Sequence, residues 1–269
     1  MTILSPSEGQ HLLQFARQTA EEAGKIIMKF FGNLSSENIQ NKGRRELVTE
    51  ADKQSERYIV QQIEQYFPQH SILAEEFTVK EANEFCWHID PLDGTTNFRH
   101  AYPLFSISMG LEIAQELVMG VVYAPYLREM FFALKGHGAF LNQTPIQVSP
   151  ETQLINSLLS TGFGYNLNET QNNNIANFSR LLLESQGIRR GGSAALDLAY
   201  VACGRFDGYW ELHLKPYDVA AGTVLVQEAG GKVTDFSGGN NFLYSGQILA
   251  SNGKIHSLIQ SRLDSILPE

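Results

Sequence analysis

Residues 87–98 read Trp-His-Ile-Asp-Pro-Leu-Asp-Gly-Thr-Thr-Asn-Phe and carry the strongest structural signal in the chain. The apolar start of this stretch predicts a buried strand that ends at Asp90, and Pro91 then forces a turn. Asp93 follows three positions after Asp90, so both carboxylates can face one point across the turn. Two carboxylates this close repel each other, and a divalent cation between them would offset the repulsion. Oxygen ligands without Cys or His favour Mg²⁺, Mn²⁺ or Ca²⁺ over zinc.

The turn after Asp93 has the residue types of a phosphate cradle. Gly94 lets the backbone approach a ligand closely, and Thr95 and Thr96 supply hydroxyl and N–H groups where a helix can begin. The alternative interpretation is an ordinary surface turn in which both aspartates cap backbone N–H groups. These residues alone do not decide between the two.

Further acidic residues lie at the ends of other predicted elements. Glu75 directly follows a predicted buried strand. Asp218 begins an apolar helix, where an N-cap is the ordinary role, and Asp52 lies at capping-box spacing from Thr49. Glu211 ends a strand, where a solvated carboxylate is the ordinary choice. Taken singly, Asp52, Asp218 and Glu211 are therefore interpreted as structural residues.

Several other side chains with possible chemistry also have an ordinary interpretation. His88 alternates with buried neighbours, so we expect it in the core or on the outer face of its strand rather than as a ligand. Arg189 and Arg190 could contact an anionic substrate, but a solvated or subunit-contact role is favoured. Cys86 and Cys203 lie far apart in apolar runs, which predicts buried thiols and no disulfide.

Predicted helices and strands alternate in blocks along the chain. This order predicts an α/β (α+β) fold with sheets layered between helix pairs, in one body or in two joined halves near residues 1–150 and 151–269. A polar, locally basic stretch at residues 38–45 is interpreted as a mobile loop. The predicted helices span residues 9–31, 50–67, 172–185, 193–203, 219–229 and 255–267. The predicted strands span residues 71–74, 85–89, 104–113, 117–123, 129–134, 139–141, 158–159, 206–212, 232–235 and 248–250.

Composition excludes several classes of protein. The 269 residues carry 20 Lys and Arg against 29 Asp and Glu, a formal net charge of −9. An acidic chain repels nucleic acid and anionic membranes at long range, so neither is expected as a partner. The first residues lack the basic and apolar regions of a signal peptide, and no run approaches the length of a membrane span. We therefore expect a cytoplasmic protein.

Five segments together resemble the inositol monophosphatase family of Mg²⁺-dependent, lithium-sensitive phosphatases. The resemblance spans nearly the whole chain, and the segments follow the order and spacing of the family. Because five motifs occur in the family's order, a purely capping role for Asp52 and Asp218 is less favoured. The segments are residues 47–52 (LVTEAD), 74–76 (AEE), 87–98 (WHIDPLDGTTNF), 192–195 (GSAA) and 217–222 (YDVAAG).

The resemblance implies a set of metal ligands and catalytic residues. Two or three Mg²⁺ ions would be held by the side chains of Glu75, Asp90, Asp93 and Asp218 and by the Leu92 carbonyl, with Asp90 bridging two of them. Asp52 and Thr95 would orient the attacking water and help to deprotonate it, and Glu75 would join them as a catalytic residue.

The resemblance also implies a set of substrate contacts. The backbone N–H groups of Gly94 and Thr95 would hold the phosphate, and four later residues match positions that contact the alcohol part. The full set of expected substrate-binding residues is Asp93, Gly94, Thr95, Gly192, Ser193, Ala194, Glu211 and Asp218. Many members of the family have Trp before the second-signature aspartate, where this chain has Tyr217. The aromatic wall is kept, so the difference bears on substrate fit rather than on metal binding.

The activity implied by the resemblance is hydrolysis of inositol monophosphate to inositol and phosphate by direct attack of water. The implied fold is a layered αβαβα sandwich of the inositol monophosphatase and fructose-1,6-bisphosphatase type. It would form a single catalytic domain over residues 1–269, often as a homodimer. Related enzymes that act on fructose-1,6-bisphosphate, histidinol phosphate or phosphoadenosine phosphate remain alternatives. A scaffold with an additional non-catalytic binding role is a further alternative.

Overall fold

A computed structural model describes residues 5–34, 39–41, 47–76, 78–79, 84–165 and 173–263. The first helix begins at Pro6, three residues before the predicted start, because Ser5 and Glu8 form a capping box. The first helix ends at Met28 rather than at residue 31, and turns follow it. The helices are α1 (Pro6–Met28), α2 (Glu50–Tyr66), α3 (Thr95–Arg99), α4 (Ile175–Glu184), α5 (Ala194–Ala202), α6 (Pro216–Glu228) and α7 (His256–Gln260).

Most of the predicted strands are present, with several corrections. The strand expected to end at Asp90 extends to Asp93, and the short strands at residues 47–49, 78–79, 144–146 and 187–189 were not predicted. The loop predicted over residues 38–45 contains a strand at Ile39–Asn41, which pairs antiparallel with Leu47–Thr49; residues 38 and 42–45 lie outside the described residues. The strands are β1 (Ile39–Asn41), β2 (Leu47–Thr49), β3 (Ser71–Ala74), β4 (Thr78–Val79), β5 (Phe85–Asp93), β6 (Ser106–Ile113), β7 (Glu116–Ala124), β8 (Glu129–Leu134), β9 (Ala139–Leu141), β10 (Thr144–Ile146), β11 (Leu158–Thr161), β12 (Gly187–Arg189), β13 (Gly208–Leu212), β14 (Lys232–Thr234) and β15 (Gln247–Ser251).

Two large sheets organise these strands. The first has eight strands in the order β10-β9-β8-β7-β6-β5-β3-β4, and the second has five in the order β12-β11-β13-β15-β14. In the first sheet β3 and β5 are parallel and the other neighbours are antiparallel. Parallel neighbours require a crossover connection, whereas the antiparallel pairs can be joined by tight turns. Strand β5, an interior strand of this sheet between β6 and β3, carries Asp90 and Asp93 in its C-terminal part.

The helices and the sheets form five layers. Helices α1 and α2 cover one face of the eight-stranded sheet through one apolar cluster. Helices α5 and α6 cover its other face and also contact the five-stranded sheet. A third cluster joins the outer face of that sheet to α4 and α7. This arrangement confirms the predicted αβαβα layering. That residues 1–269 form one domain stays a prediction.

The central helix α6 lies unusually close to the eight-stranded sheet. A Cβ added at Gly110 of β6 would lie 2.7 Å from the Cβ of Ala220. One added at Gly120 of β7 would lie 2.9 Å from the Cα of Ala221 and would overlap its carbonyl oxygen. Only glycine permits these two backbones to approach so closely. The two glycines therefore determine the distance between α6 and the sheet. Asp218 lies in the first turn of α6, so its position depends on the same contacts.

Several smaller expectations have an outcome in the fold. Cys86 and Cys203 are both free, as expected, but half-buried rather than fully buried. The predicted helices at 172–185 and 255–267 are shorter than expected, and their residues 172 and 264–267 lie outside the described part of the chain. Across the described ranges, no helix is both long and apolar enough to cross a bilayer.

Candidate active site

The end of β5 places the two aspartates of the central motif. Pairing with β6 shifts between Asp90 and Asp93, where Pro91 offers no backbone donor. Oδ1 of Asp90 accepts a hydrogen bond from the Leu92 N–H (3.0 Å). This bond is the capping role of the alternative interpretation. A carboxylate has two oxygen atoms and about four lone-pair sites, so capping leaves it able to bind a cation as well.

Gly94 makes the turn that follows. Its φ is +95°, in the left-handed region that favours glycine. A Cβ at this position would lie 3.0 Å from the Leu104 carbonyl oxygen and 3.1 Å from that of Gly192. Helix α3 begins at the next residue, Thr95. The first N–H groups of a helix have no partner in its own ladder, so they can donate to a ligand.

Asp93 joins the two halves of the chain. Its Oδ2 accepts hydrogen bonds from the Ser193 hydroxyl (2.6 Å) and from the Ala195 N–H (2.8 Å), and its Oδ1 accepts one from the Ala194 N–H (3.2 Å). These donors lie at the N-terminus of α5, where an acidic side chain is electrostatically favoured. The contact seats the predicted substrate residues Ser193 and Ala194 beside the β5 turn.

Asp52 and Thr95, which the resemblance assigns to the attacking water, form a hydrogen-bonded pair. The Thr95 hydroxyl lies 2.9 Å from Asp52 Oδ1 and 3.1 Å from the Leu92 carbonyl oxygen, and both can accept its proton. The predicted capping box of α2 is also present, because Thr49 donates to Asp52 from its backbone N–H (2.8 Å) and from its hydroxyl. Asp52 is fully buried, and burial raises the pKa of its carboxyl. A raised pKa favours proton acceptance by this group.

Asp218 and Glu211 differ from their predicted structural roles. Asp218 lies within the first turn of α6, not at its N-cap, and accepts a hydrogen bond from the Lys215 N–H (2.6 Å). Glu211 is not a solvated carboxylate: it is mostly shielded from solvent and accepts a hydrogen bond from the Tyr209 hydroxyl (2.6 Å). Its carboxylate lies against Gly162, where any side chain would overlap it.

One pocket of about 740 Å³ brings together every predicted site residue except Asp52. Asp52 is buried behind Thr95, so it can act on the pocket only through that hydroxyl. Glu75 reaches the pocket from the end of β3, Asp90 and Asp93 from β5, and Asp218 from α6. The predicted residues in its wall are Glu75, Asp90, Leu92, Asp93, Gly94, Thr95, Gly192, Ser193, Ala194, Glu211 and Asp218.

The pocket carries an excess of buried negative charge. Burial, and then the charges of Glu75, Asp93 and Asp218, raise the pKa of Asp90 well above its ordinary value. Burial also raises the pKa of Asp93 to about 6, that of Glu211 to about 7 and that of Asp218 to about 8. Carboxyl groups shifted in this direction are stabilised in the ionised form by a bound cation.

The donor set fits a hard divalent cation in its chemistry. Four carboxylates and a backbone carbonyl supply only oxygen ligands, which suit Mg²⁺. Within the part of the chain that the structure describes, no three acidic, histidine or cysteine side chains stand at the spacing of a formed metal site. Both oxygens of Asp93 and one of Asp218 are turned toward protein N–H or hydroxyl donors instead.

We expect the metal-free protein to become more stable as the pH falls from about 8.5 to about 6.5. Asp218 and Glu211, with pKa values of about 8 and about 7, take up protons in this window when folded. In the unfolded chain they do so only near pH 4. A carboxyl whose folded-state pKa is raised contributes stability at low pH and loses it as the pH rises through that pKa. The gain is on the order of 2 kcal/mol, or several degrees in Tm.

Thermal unfolding in the presence of a chelator measures this trend. The pH range of the prediction ends near 6.5, because burial lowers the pKa of His256 to about 4. A buried neutral histidine withdraws stability once the pH falls below its unfolded pKa. A flat or falling Tm between the two pH values would contradict the buried acidic cluster. Saturating Mg²⁺ should stabilise the protein more at pH 8.5 than at pH 6.5, because protons and the cation compete for the same carboxylates.

Sequence reasoning missed several residues of the pocket. Arg190 was assigned a solvated or subunit-contact role, but it lines the pocket while remaining exposed. Asp197 was not singled out; it is buried beside Gly191, and burial raises its pKa well above the ordinary value. Tyr165 and Lys215 also line the pocket. Arg190, Asp197 and Lys215 lie next to the family motifs at residues 192–195 and 217–222, whereas Tyr165 has no such sequence signal; Asp197 does not itself line the pocket.

The core assignment of His88 is correct. Its side chain is 1% exposed, and Nε2 lies 2.8 Å from Oε2 of Glu112. Glu112 also accepts a hydrogen bond from the Tyr244 hydroxyl (2.8 Å). His88 shares a strand with Asp90 but lies outside the pocket wall. It is therefore a hydrogen-bonded interior residue, as expected.

Comparisons with known proteins agree with this geometry. The model of a family described as the inositol monophosphatase family matches residues 8–267. An inositol-1-monophosphatase from Synechocystis is 48% identical over 97% of this chain and 91% of its own. The Nus factor SuhB of Pseudomonas aeruginosa is 40% identical over 96% of this chain and 98% of its own. The solved structure of inositol monophosphatase from Anabaena superposes with a TM-score of 0.85 at 45% identity, covering 94% of this chain and 95% of that one.

Proposed function

Since the chain belongs to the inositol monophosphatase family of phosphatases, we propose that it hydrolyses inositol monophosphate to inositol and inorganic phosphate with Mg²⁺ as cofactor. The observation that carries the proposal is the convergence of four acidic side chains, Glu75, Asp90, Asp93 and Asp218, on one pocket. They come from three separate elements, and no structural need explains the cost of gathering them there. A cation that neutralises them, and a phosphate attracted by that cation, account for the arrangement.

The metal ligands follow from the pocket wall. Two or three Mg²⁺ ions would be held by the carboxylates of Glu75, Asp90, Asp93 and Asp218 and by the Leu92 carbonyl. Bound Mg²⁺ supplies Lewis-acid chemistry that lowers the pKa of a water molecule and offsets charge on the phosphoryl oxygens. The raised pKa of Asp90 supports the assignment, because a group destabilised by neighbouring carboxylates is the one that gains most from a cation.

Thr95 and Asp52 are placed to receive the proton of the attacking water. The Thr95 hydroxyl donates toward Asp52, so a lone pair of its oxygen can accept a proton from a water molecule in the pocket. The water oxygen forms the new bond to phosphorus, and the water proton moves to Thr95 as the Thr95 proton moves to Asp52. The bond from phosphorus to the ester oxygen breaks, and the leaving alkoxide takes a proton from solvent. No covalent enzyme intermediate is needed.

Separate sets of pocket residues would contact the phosphate and the alcohol part of the substrate. The N–H groups of Gly94 and Thr95, at the start of α3, would hold phosphoryl oxygens. Glu211, Ser193 and Ala194 would face the alcohol. Glu211 can accept hydrogen bonds from sugar-like hydroxyls, because Tyr209 binds only one of its oxygens. These contacts support a small polyol as the leaving group.

Phosphate release from inositol 1-phosphate, with MgCl₂ and with a chelator, tests the proposal. We expect turnover only with Mg²⁺, and inhibition by LiCl at Mg²⁺ concentrations that support activity. Release that is unchanged by chelation would contradict the metal mechanism. Lithium-insensitive release would contradict the lithium sensitivity that the resemblance implies. The values of kcat/KM for fructose-1,6-bisphosphate, histidinol phosphate and phosphoadenosine phosphate rank the alternative substrates in the same assay.

A binding role is the second candidate, favoured by the names of several relatives. Proteins from Pseudomonas aeruginosa and Escherichia coli that are 40% identical to this chain are called Nus factor SuhB. A role through a partner protein is compatible with catalysis, since it requires only the surface. The net charge of −9 argues against direct binding of nucleic acid. Homodimer formation and the absence of a nucleic-acid partner both stay predictions.

A further inference from the structure

Arg190 occupies a defined place at the wall of the pocket. It follows the last residue of β12 and precedes two glycines, Gly191 and Gly192. Its guanidinium folds back so closely over Gly192 that any side chain at 192 would overlap it. Gly192 has a φ of +84°, which also favours glycine. The Arg-Gly-Gly sequence thus creates the space in which the guanidinium lies.

Neighbouring side chains fix the turn that carries Arg190. Nδ2 of Asn97 donates to the Gly191 carbonyl oxygen (2.8 Å) and to that of Leu104 (2.6 Å). The carboxylate of Asp197 lies directly beside Gly191 on the buried side. The backbone at 190–192 is therefore held from two sides, although the Arg190 side chain itself is exposed. Among the described residues, that side chain has no hydrogen bond or ion pair at contact distance, but its positive charge partly offsets the raised pKa values of Asp197 and Glu211.

The adjacent arginine has a different environment. Arg189 is the last residue of β12, its Nη1 donates to the Ile188 carbonyl oxygen (3.2 Å), and it does not line the pocket. The two arginines are therefore equal in charge and adjacent in sequence but differ in access to the site. This difference provides a matched control for any role of Arg190.

The position of Arg190 defines its chemistry. Gly192, against which the guanidinium lies, leads directly into Ser193 and Ala194, the residues expected to face the alcohol. A guanidinium has five N–H donors in a planar fork that binds phosphate or carboxylate through two parallel hydrogen bonds. An unpaired fork at the alcohol end suits an anionic substituent on the alcohol. The pocket volume of about 740 Å³ leaves room for such a group.

We propose that Arg190 binds a second anionic group on the alcohol part of a substrate, so that the site accepts, in addition to inositol monophosphate, phosphate monoesters whose alcohol carries another phosphate or a carboxylate. This inference rests on the proposed function, because it assumes that the ester phosphate lies at the acidic cluster. The competing role for Arg190 is to offset the buried charges of Asp197 and Glu211. That role would affect all substrates alike.

Fructose 1,6-bisphosphate and fructose 1-phosphate separate the two roles, because they differ only in the second phosphate. In Arg190→Ala we expect kcat/KM for the bisphosphate to fall at least about tenfold, through KM, since a bidentate charged contact is lost. The value for fructose 1-phosphate should change by less than about twofold. Arg190→Lys should fall between wild type and Arg190→Ala, because it keeps the charge but not the fork. Arg189→Ala should leave both substrates unchanged.

Equal losses for the two substrates in Arg190→Ala, or no loss for either, would overturn the proposal. Phosphate release from inositol 1-phosphate by the wild type checks the proposed function separately. If the wild type releases no phosphate, the two ligands are compared by the rise in Tm that each causes with Mg²⁺ present, which needs no turnover. A larger rise with the bisphosphate that disappears in Arg190→Ala still supports the role of Arg190. An equal rise in both proteins refutes it.

Discussion

Asp90→Asn should lower kcat for phosphate release by about three orders of magnitude while the protein remains folded. Asn has the shape of Asp and its carbonyl oxygen can still accept the Leu92 N–H, so the capping bond survives. It lacks the negative charge that the proposed Mg²⁺ site requires. Asp90 is surrounded by the charges of three other carboxylates. The assignment of the metal ligands depends most on this residue, so its replacement by a neutral Asn tests that assignment most directly.

Stability measurements give a second, independent readout of Asp90→Asn. Without metal, the variant should unfold at a higher temperature than the wild type at pH 7.5. The reason is that burial and neighbouring carboxylates disfavour the ionised Asp90 in the folded state. Addition of MgCl₂ should stabilise the wild type far more than the variant. A gain in metal-free stability together with a loss of activity is the signature of a residue kept for function rather than for folding.

Two further variants control this experiment. Asp235→Asn changes an aspartate that accepts hydrogen bonds from the Gly239 N–H (2.8 Å) and the Asn241 N–H (3.3 Å) in a turn outside the pocket, and kcat should stay near the wild-type value. Thr95→Ala should lower kcat while the stabilisation by Mg²⁺ persists, because the proposed role of Thr95 is to accept a proton rather than to bind the metal. Near-normal turnover in Asp90→Asn would show that Asp90 only caps the turn.

Gly120→Ala should destabilise the protein by about 3 kcal/mol, or about 10 °C in Tm, a large effect for a single methyl group. The added Cβ would overlap the carbonyl oxygen of Ala221 in α6 and lie 2.9 Å from its Cα. Backbone cannot rotate away as a side chain can, so the whole helix must shift. Because Asp218 lies in the first turn of α6, the shift should also raise the Mg²⁺ concentration needed for half-maximal activity.

Urea unfolding and a Mg²⁺ titration of activity measure the two effects. Gly187→Ala is the matched control, because a Cβ there would make only ordinary contacts, at 3.5 Å to Arg189 and 3.8 Å to Leu158. Its effect should stay within about 0.5 kcal/mol. If Gly120→Ala does not fold, Gly110→Ala provides a second test, since its closest contact is the Ala220 Cβ at 2.7 Å. A stability close to wild type in both variants would refute the role of this close approach.

Much of the fold and the site was predictable because the signals are local. The spacing of apolar residues predicted the large helices, since each must bury one face. The capping box of Thr49 and Asp52 was predictable because its two partners lie three residues apart. In residues 87–98, a strand, a proline turn and a glycine place two aspartates and a helix start within twelve positions. Family motifs in the correct order then linked these local signals to one site.

Burial and the choice between similar residues needed the folded molecule. Arg189 and Arg190 are alike in sequence, yet only Arg190 lines the pocket, because Gly192 leaves space for its guanidinium. Glu211 resembled a solvated strand end, but Gly162 and Tyr209 from elsewhere in the chain enclose it.

Local sequence patterns were sufficient to predict which segments form the large helices and which oxygen donors are available. The folded molecule was needed to show which of those donors share a cavity. Asp93 receives its hydrogen bonds from residues about one hundred positions away in the chain, and α6 reaches its height above the sheet through contacts at Gly110 and Gly120. The physical reason is that charge and desolvation act through space, so the pKa of a carboxyl depends on neighbours that its own segment does not contain.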